Sequence, residues 1–281
     1  MRHKNGSRTV FPHGTGEQLR RTSAQAGPPS STEVASSASV ANAANEAPFS
    51  TRYSALERKR IQRRLRDAAK YPIIALVAPA GYGKSTAVRH FLRHRRNSIL
   101  IGIPASAANL EDFIRAFGAG CADRFPSMAT LPDLPIGPAT ESIDRIGLYV
   151  SWALANLGAA KCTIALDDLH HTDRDATIAM FLQRLAEASK GKVQWVFSSR
   201  TYGNLPHNRW QVYADADATI TASDLRMSTA EALAICRALR SPASAEQVEA
   251  WVERTQGFPV FLTYAIRLSA NRGTSNPAFP G

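Results

Sequence analysis

The chain has 281 residues, of which 44% are hydrophobic and 20% charged, with a formal net charge of +11. This length allows one or two domains with a substantial buried core. No window reaches the ~18 uninterrupted apolar residues of a membrane span, and the three cysteines lack the spacing of a disulfide framework or a zinc site. We therefore expect a cytoplasmic protein with reduced, buried cysteines.

The first fifty residues contain few large apolar side chains and many Ser, Ala, Gly and Pro. Such a composition cannot bury enough surface to offset the entropy lost on ordering the chain. We therefore predict a disordered segment at 1–50, with the folded part starting near Thr51. The end of the chain has no periodicity and predicts a second disordered segment at 271–281.

Positive charge is concentrated between Arg52 and Arg96, a stretch with thirteen Lys or Arg residues against only Glu57 and Asp67. A basic field of this kind attracts polyanions such as a nucleotide, a nucleic acid or an acidic protein surface. The alternative is that these residues form two solvated helix faces on either side of a strand. Both interpretations stay open at this point.

Runs of apolar residues alternate with helical patterns along the chain after Thr51. This alternation predicts an α/β fold with a parallel sheet covered by helices on both faces. The Pro-rich stretch 125–140 predicts a loop. The predicted strands are 73–78, 98–103, 162–166, 193–198 and 218–221, and the predicted helices are 54–70, 84–95, 109–124, 140–158 and 173–190, with Asn109 and Asp173 as N-caps.

After Leu225 the pattern changes to helices without strands. Two capping boxes, one from Ser228 to Glu231 and one from Ser244 to Gln247, each mark the start of a helix. A third helix follows Gly257-Phe258-Pro259.

The segment between the first strand and the second helix has the layout of a phosphate-binding loop. The pattern G-x-x-x-x-G-K-[ST] is met from its second glycine onward by Gly83, Lys84 and Ser85, with Ala78 where the first glycine usually stands. Lys84 is expected to neutralise the β and γ phosphates, and Ser85 to ligate Mg²⁺. Gly81, Tyr82 and Thr86 complete the predicted ATP-binding residues. The helix N-terminus that follows would direct its amides at the anion.

A second element, TIALDDLHHTD, places two aspartates after a buried strand. Ligands of open α/β sheets bind at the carboxyl ends of the strands. Asp167 is therefore predicted to hold Mg²⁺, and Asp168 stands where many ATPases have a water-orienting glutamate. Because its side chain is one methylene shorter, we expect slow hydrolysis. For His170 and His171 we favour structural roles over metal binding.

The next strand ends in Ser198-Ser199-Arg200. An arginine leaving a strand beside the phosphate loop could contact a γ-phosphate and report its hydrolysis. A surface arginine with no such role is about equally compatible with this position.

The segments APAGYGKST, TIALDDLHHTD, VFSSRTYGNLP, ITASDLRMSTAEA and VERTQGFPVFL together resemble the N-terminal ATPase domain of the MalT-like regulators. These are ATP-dependent bacterial transcription activators of the signal-transducing ATPase (STAND) class, and many carry a LuxR-type DNA-binding domain. The resemblance implies a P-loop NTPase of the AAA type at 51–225, with a five-stranded parallel sheet in the order 5-1-4-3-2. It also implies a helical lid at 226–270, with Pro259 near the adenine and Arg200 as the γ-phosphate sensor.

The MalT-like regulators normally continue with helical repeats and a helix-turn-helix, for which residues 260–281 offer no counterpart. We therefore expect contact with DNA only indirectly or through another domain.

Three functions remain open from the sequence. The first is an ATP-binding switch with slow hydrolysis, which binds ATP or ADP and acts through self-association or a partner protein. The second is an active ATPase or phosphoryl transferase. The third is a nucleic-acid-binding module that uses the basic 52–96 region.

Overall fold

The structure, a computed structural model, describes residues 57–132, 144–158 and 161–272. The segment predicted to be disordered at 1–50 lies outside these residues, and so does 273–281 of the second predicted segment. Residues 271 and 272, also predicted to be disordered, instead form the end of the last helix. The part of the predicted Pro-rich loop after residue 132 also lies outside them.

A five-stranded sheet forms the centre of the fold, with the strand order β2-β3-β4-β1-β5. Every pairing between neighbouring strands is parallel. The implied order 5-1-4-3-2 is the same order counted from the other edge, and it is confirmed. The strands are β1 (Ile73–Val77), β2 (Ser98–Gly102), β3 (Cys162–Asp167), β4 (Val193–Ser199) and β5 (Ile220–Thr221).

Helices cover both faces of the sheet, as the alternation of strand and helix patterns predicts. The helices are α1 (Lys59–Ala68), α2 (Lys84–Arg93), α3 (Leu110–Cys121), α4 (Arg145–Leu157), α5 (Ala176–Ala188), α6 (His207–Val212), α7 (Ala222–Leu225), α8 (Thr229–Leu239), α9 (Ala245–Thr255) and α10 (Pro259–Arg272). Short 3-10 turns lie at Pro126–Ala129 and Leu169–Thr172. None of the helices described combines the length and the apolarity needed to cross a bilayer.

Each face of the sheet has its own hydrophobic core, formed with the helices that cover that face. On one face, aromatic residues of α3 and α5 pack with Trp195 of β4. On the other face, Ile61 and Leu65 of α1 pack with Val88 and Phe91 of α2. Alternate residues of β1 take part in the two cores, because successive strand side chains point to opposite faces.

The helices that follow β5 have a core of their own. We call α8, α9 and α10 the C-terminal helices, and their shared core contains Ile235, Val248, Trp251 and Leu262. Both predicted capping boxes are present, with Ser228 and Ser244 as N-caps.

One predicted cap is wrong. Asp175, not Asp173, caps α5, and its carboxylate accepts a hydrogen bond from the Thr177 amide at 2.9 Å. Asp173 instead binds the Thr201 hydroxyl, and its carbonyl accepts from the Asn204 side chain at 2.9 Å. The helix starts two residues later because the 3-10 turn at Leu169–Thr172 intervenes. The predicted cap Asn109 is confirmed, since it accepts from the Asp112 amide at 3.0 Å.

The three cysteines are buried and form no disulfide, in agreement with the sequence-based expectation. Burial raises the pKa of the Cys121 thiol to about 12, and the neighbouring Cys162 adds to that rise. Such a thiol is unreactive at neutral pH.

Candidate nucleotide-binding site

The loop between β1 and α2 turns on two glycines in the left-handed region. Gly81 has φ +85° and Gly83 has φ +80°, a conformation that side chains with a Cβ rarely adopt. A Cβ on Gly83 would have no heavy atom within 4 Å, so backbone conformation alone calls for glycine there. Ala78 is buried at the end of β1 within the α1 and α2 core, which accommodates its methyl group.

Lys84 lies under this loop at the first position of α2. Its side chain is only 7% exposed, and its Nζ donates hydrogen bonds to the Ala78 carbonyl at 2.6 Å and to the Pro79 carbonyl at 3.0 Å. Burial lowers the pKa of Lys84, while the charges of Asp167 and Asp168 raise it and that of Arg200 lowers it. The charge of Lys84 therefore interacts with the charges of the three other predicted residues.

The hydroxyls of the loop follow directly in the first turn of α2. Ser85 is half-buried and Thr86 is exposed. Both therefore lie at the helix N-terminus, where unpaired amides and the helix dipole favour an anion.

Asp167 is the last residue of β3 and is 5% exposed. One of its carboxylate oxygens accepts a hydrogen bond from the Asp168 amide at 3.0 Å. Asp168 itself is left-handed, with φ +59°, and its side chain is 45% exposed. A left-handed residue other than glycine costs on the order of 1 kcal/mol, and such residues concentrate at functional sites.

The rings of His170 and His171 are in contact, with centroids 4.1 Å apart and planes tilted by 36°. Nδ1 of His170 lies 3.8 Å from an oxygen of Asp168. Burial is the largest cause that lowers the pKa of His170, followed by the charges of His171 and Arg200. A neutral imidazole beside Asp168 suits the structural role favoured from the sequence. Among the residues described, no cluster of three or more His, Cys, Asp or Glu side chains could hold a metal by itself.

Arg200 follows β4 directly and is exposed. Its charge lowers the pKa of both Lys84 and His170, and β4 lies between β3 and β1 in the sheet. The predicted residues of three neighbouring strands therefore meet at one edge of the sheet.

The turn before α10 and the start of that helix contact the phosphate loop. The sequence predicted Pro259 near the adenine but not this direct contact with the loop. A Cβ on Gly81 would lie 2.9 Å from the Phe258 ring and 3.0 Å from Val260. The Phe258 ring also packs on Tyr82 with centroids 4.9 Å apart. Pro259 is buried at the start of α10, one residue further on. The segment Gly257-Phe258-Pro259 was the only sequence signal of this contact.

A second unpredicted feature joins α1 to the start of the C-terminal helices. The guanidinium of Arg58 donates to the carbonyls of Leu225 and Arg226 at 2.9 and 2.7 Å and to the carboxylate of Glu231 at 3.0 and 3.2 Å. Arg60 donates to the Arg226 carbonyl and to Glu231 as well. We call this set the Arg58 clamp. The residues it joins are 166 to 173 positions apart, so no local pattern could have indicated it.

Comparison with known proteins yields structural likenesses only. No family model and no curated protein matches the sequence. The structure is similar to a Walker-type ATPase of Pyrococcus abyssi (16% identity, TM-score 0.49, 78% of this chain and 69% of that one) and to Cdc6p of Pyrobaculum aerophilum (13%, 0.48, 76% and 60%). It is also similar to the Orc1 protein of Aeropyrum pernix, solved in complex with DNA (14%, 0.50, 79% and 62%).

Identities this low show a similar fold and nothing more. The chain spans about 60 to 69% of the length of these three proteins. The likeness to Orc1, the parallel sheet in the order implied by the resemblance and the glycine loop between β1 and α2 agree with one another. The chain has the fold of a P-loop ATPase.

Proposed function

We propose that this chain is an ATP-binding switch with slow hydrolysis, and that it is the nucleotide-binding part of a MalT-like bacterial transcriptional regulator. The observation that carries the proposal is the common environment of Lys84, Asp167, Asp168 and Arg200 at the carboxyl edge of the sheet. A buried ammonium beside two carboxylates and an arginine, all next to a left-handed glycine loop, suits the binding of a magnesium polyphosphate.

Each residue has a definite task in this proposal. The loop amides around Gly81, Tyr82 and Gly83 would surround the phosphates, and Thr86 would add a hydroxyl near the α-phosphate. Ser85 and Asp167 would hold Mg²⁺, which usually takes only one or two protein ligands and completes its shell with phosphate oxygens and water.

The position of Lys84 supports tight binding of an anion. Its ammonium is largely removed from water and donates hydrogen bonds to two neutral carbonyls of its own loop. Burial lowers its pKa, which means that the charged form is less stable here than in water. A phosphate oxygen would offer a hydrogen bond in which both partners are charged, and its negative charge would favour the charged form of Lys84.

Slow turnover follows from the residue at position 168. Asp168 would orient the attacking water in place of a glutamate, and its shorter side chain would do so less well. Arg200, which is exposed and close to the loop, would contact the γ-phosphate.

The C-terminal helices would act as the lid of the switch, with the nucleotide between them and the sheet and Pro259 near the adenine. Their contact with the loop through Phe258, Tyr82 and Gly81 supports such coupling. A switch requires that ATP and ADP favour different arrangements of the two parts, because a ligand that binds both equally shifts nothing. The output would then pass to a second copy or a partner protein, and to DNA through another domain, in the cytoplasm.

The test is nucleotide retention by the purified full-length chain. We expect ATP or ADP to co-purify, nanomolar to micromolar affinity, and loss of retention in Lys84→Ala and in Asp167→Ala. Lys161→Ala, which removes an exposed lysine at the opposite edge of the sheet, serves as the control and should retain nucleotide. Retention unchanged in Lys84→Ala would refute the site. Turnover of many ATP per second with a small-molecule phosphate acceptor would favour the second function, a phosphoryl transferase.

A further inference from the structure

The cations of the basic 52–96 stretch divide into two groups in the structure. Arg58, Arg60, Arg64 and Arg95 make internal hydrogen bonds, and Lys84 belongs to the nucleotide site. The remaining cations of the described part of this stretch are all exposed: Lys59, Arg63, Arg66, Lys70, Arg89, Arg93 and Arg96. The two interpretations left open by the sequence therefore concern this second group alone.

These exposed cations form two rows. Lys59, Arg63 and Arg66 recur at helical spacing along α1, and Arg89 and Arg93 do so along α2, so each set lies on one side of its helix. Lys70 and Arg96 extend the rows just beyond the helix ends. With a rise of about 1.5 Å per residue, neighbouring cations of a row are about 4.5 to 6 Å apart along the helix.

The two rows belong to one continuous surface. Both helices bury their apolar sides against the same face of the sheet. The Gln62 side chain of α1 donates to the Ala87 carbonyl of α2 at 3.0 Å, so the helices are direct neighbours. The axes of packed helices lie about 8 to 10 Å apart, so the two rows are on adjacent helices of one layer. We call this outer side of α1 and α2 the basic surface.

We propose that the basic surface binds the phosphate backbone of duplex nucleic acid without reading its sequence. Regularly spaced cations suit a regularly spaced polyanion, and a duplex offers two phosphate strands that two rows can contact together. Five of the seven cations are arginines, whose planar guanidinium forms two parallel hydrogen bonds to a phosphate.

The surface is polar throughout, which argues against a membrane and against base stacking. The apolar residues of both helices face the core, and none of the large hydrophobic residues found exposed in the described ranges lies on α1 or α2. A helix that lies on a bilayer buries an apolar side in it, and single strands are held by aromatic rings. The nearby acidic groups are few, with Asp67 3.9 Å from Lys70 and Glu57 3.8 Å from His94.

The test is fluorescence anisotropy of the full-length chain with two labelled DNA duplexes of unrelated sequence, over a series of salt concentrations. A quadruple variant replaces Arg63, Arg66, Arg89 and Arg93 by Gln. Its matched control replaces Lys161, Lys192, Arg237 and Arg240, four exposed cations elsewhere, and so has the same net charge. Circular dichroism and binding of a fluorescent ATP analogue establish that both variants are folded.

We expect both duplexes to bind the parent with equal affinity and with a steep dependence on salt. In the quadruple variant the slope of log K against log[salt] should become shallower by about 3.6, at about 0.9 per lost phosphate contact, while the control keeps the slope of the parent. Three results would overturn the proposal: no duplex binding by the parent, equal losses in variant and control, or binding of phosphatidylserine vesicles or polyglutamate in preference to the duplex.

Discussion

Gly81 and Phe258 are in contact so close that a single carbon atom added to Gly81 would lie 2.9 Å from the Phe258 ring. One residue belongs to the phosphate loop and the other to the turn before α10. A movement of the loop at this point therefore requires a movement of the turn before α10, which supports the proposed coupling between nucleotide and the C-terminal helices.

The first prediction concerns this contact. Gly81→Ala should destabilise the protein by about 1 to 3 kcal/mol, because it combines a left-handed φ with a steric clash. In a Phe258→Ala background the clash with the ring is absent, and the backbone cost and the 3.0 Å approach to Val260 remain. Urea unfolding of the four proteins of this double-mutant cycle should therefore give a coupling energy of at least about 0.5 kcal/mol. Strictly additive effects would show that the two parts are not in contact in solution.

The second prediction concerns the Arg58 clamp. Its arginine is 17% exposed and its glutamate 15%, and the guanidinium also satisfies two carbonyls. Arg58→Gln should lower the free energy of unfolding by about 1.5 to 3 kcal/mol, the range for hydrogen bonds to charged groups. Arg63→Gln on the exposed side of the same helix is the control, with a change within about 0.5 kcal/mol. Equal effects in thermal or urea unfolding would mean that the clamp adds no stability.

The third prediction concerns acid. Burial of Glu231 acts to raise its pKa, but the hydrogen bonds from Arg58 and the Ser228 amide outweigh burial and hold the pKa below the ordinary 4.5. The unfolded chain then binds more protons, so this contribution to stability is complete above pH 4.5 and is lost as the pH falls toward the lower folded pKa. Glu231→Gln should be less stable than the parent at pH 7, and the difference should shrink as the pH falls below 4.5. A difference that stays constant with pH would contradict the assignment.

The fourth prediction compares two buried serines. The Ser198 hydroxyl is fully buried and has no hydrogen-bond partner within the described part of the chain. The Ser189 hydroxyl donates to the Leu185 carbonyl at 2.7 Å and accepts from the Trp195 indole at 2.9 Å. Ser198→Ala should leave stability unchanged or raise it, whereas Ser189→Ala should cost about 1 to 3 kcal/mol. The opposite order of the two melting temperatures would show that Ser198 has a partner in solution.

The fifth prediction tests the slow switch. Asp168→Glu should raise ATP turnover by about tenfold or more, because the longer side chain would orient water better, and Asp168→Asn should abolish turnover while ATP still binds. Asp123→Glu at an exposed position is the control and should not alter the rate. Release of labelled phosphate under single-turnover conditions measures all four proteins. A slower rate in Asp168→Glu would remove the physical reason given for slow hydrolysis.

Local patterns in the sequence were sufficient to predict the parallel sheet and to place Lys84 and Asp167 at its carboxyl edge, whereas for Arg200 they left a surface position with no role equally open. Each of these residues follows a buried run of a parallel strand, and such residues must meet at one edge of the sheet. The strand order itself came from the resemblance to the MalT-like regulators, and the structure confirms it.

Other features depend on contacts between distant parts of the chain. Nothing near Arg58 indicates that it will bind Glu231, and nothing near Gly81 indicates Phe258. The cap of α5 could not be chosen correctly because Asp173 and Asp175 are both suitable by residue type. The contact of Asp173 with Thr201, which decides the matter, is a tertiary one.

The place of β1 in the sheet has a consequence for biosynthesis. All five of its residues are buried, and it lies between β4 and β5, which are made much later. A nascent chain therefore carries an apolar strand with two unpaired edges, an aggregation hazard, until Val193 and the residues after it have left the ribosome. We expect folding to be completed only after synthesis has passed β5, and chains that stop before Val193 to require chaperones to stay in solution.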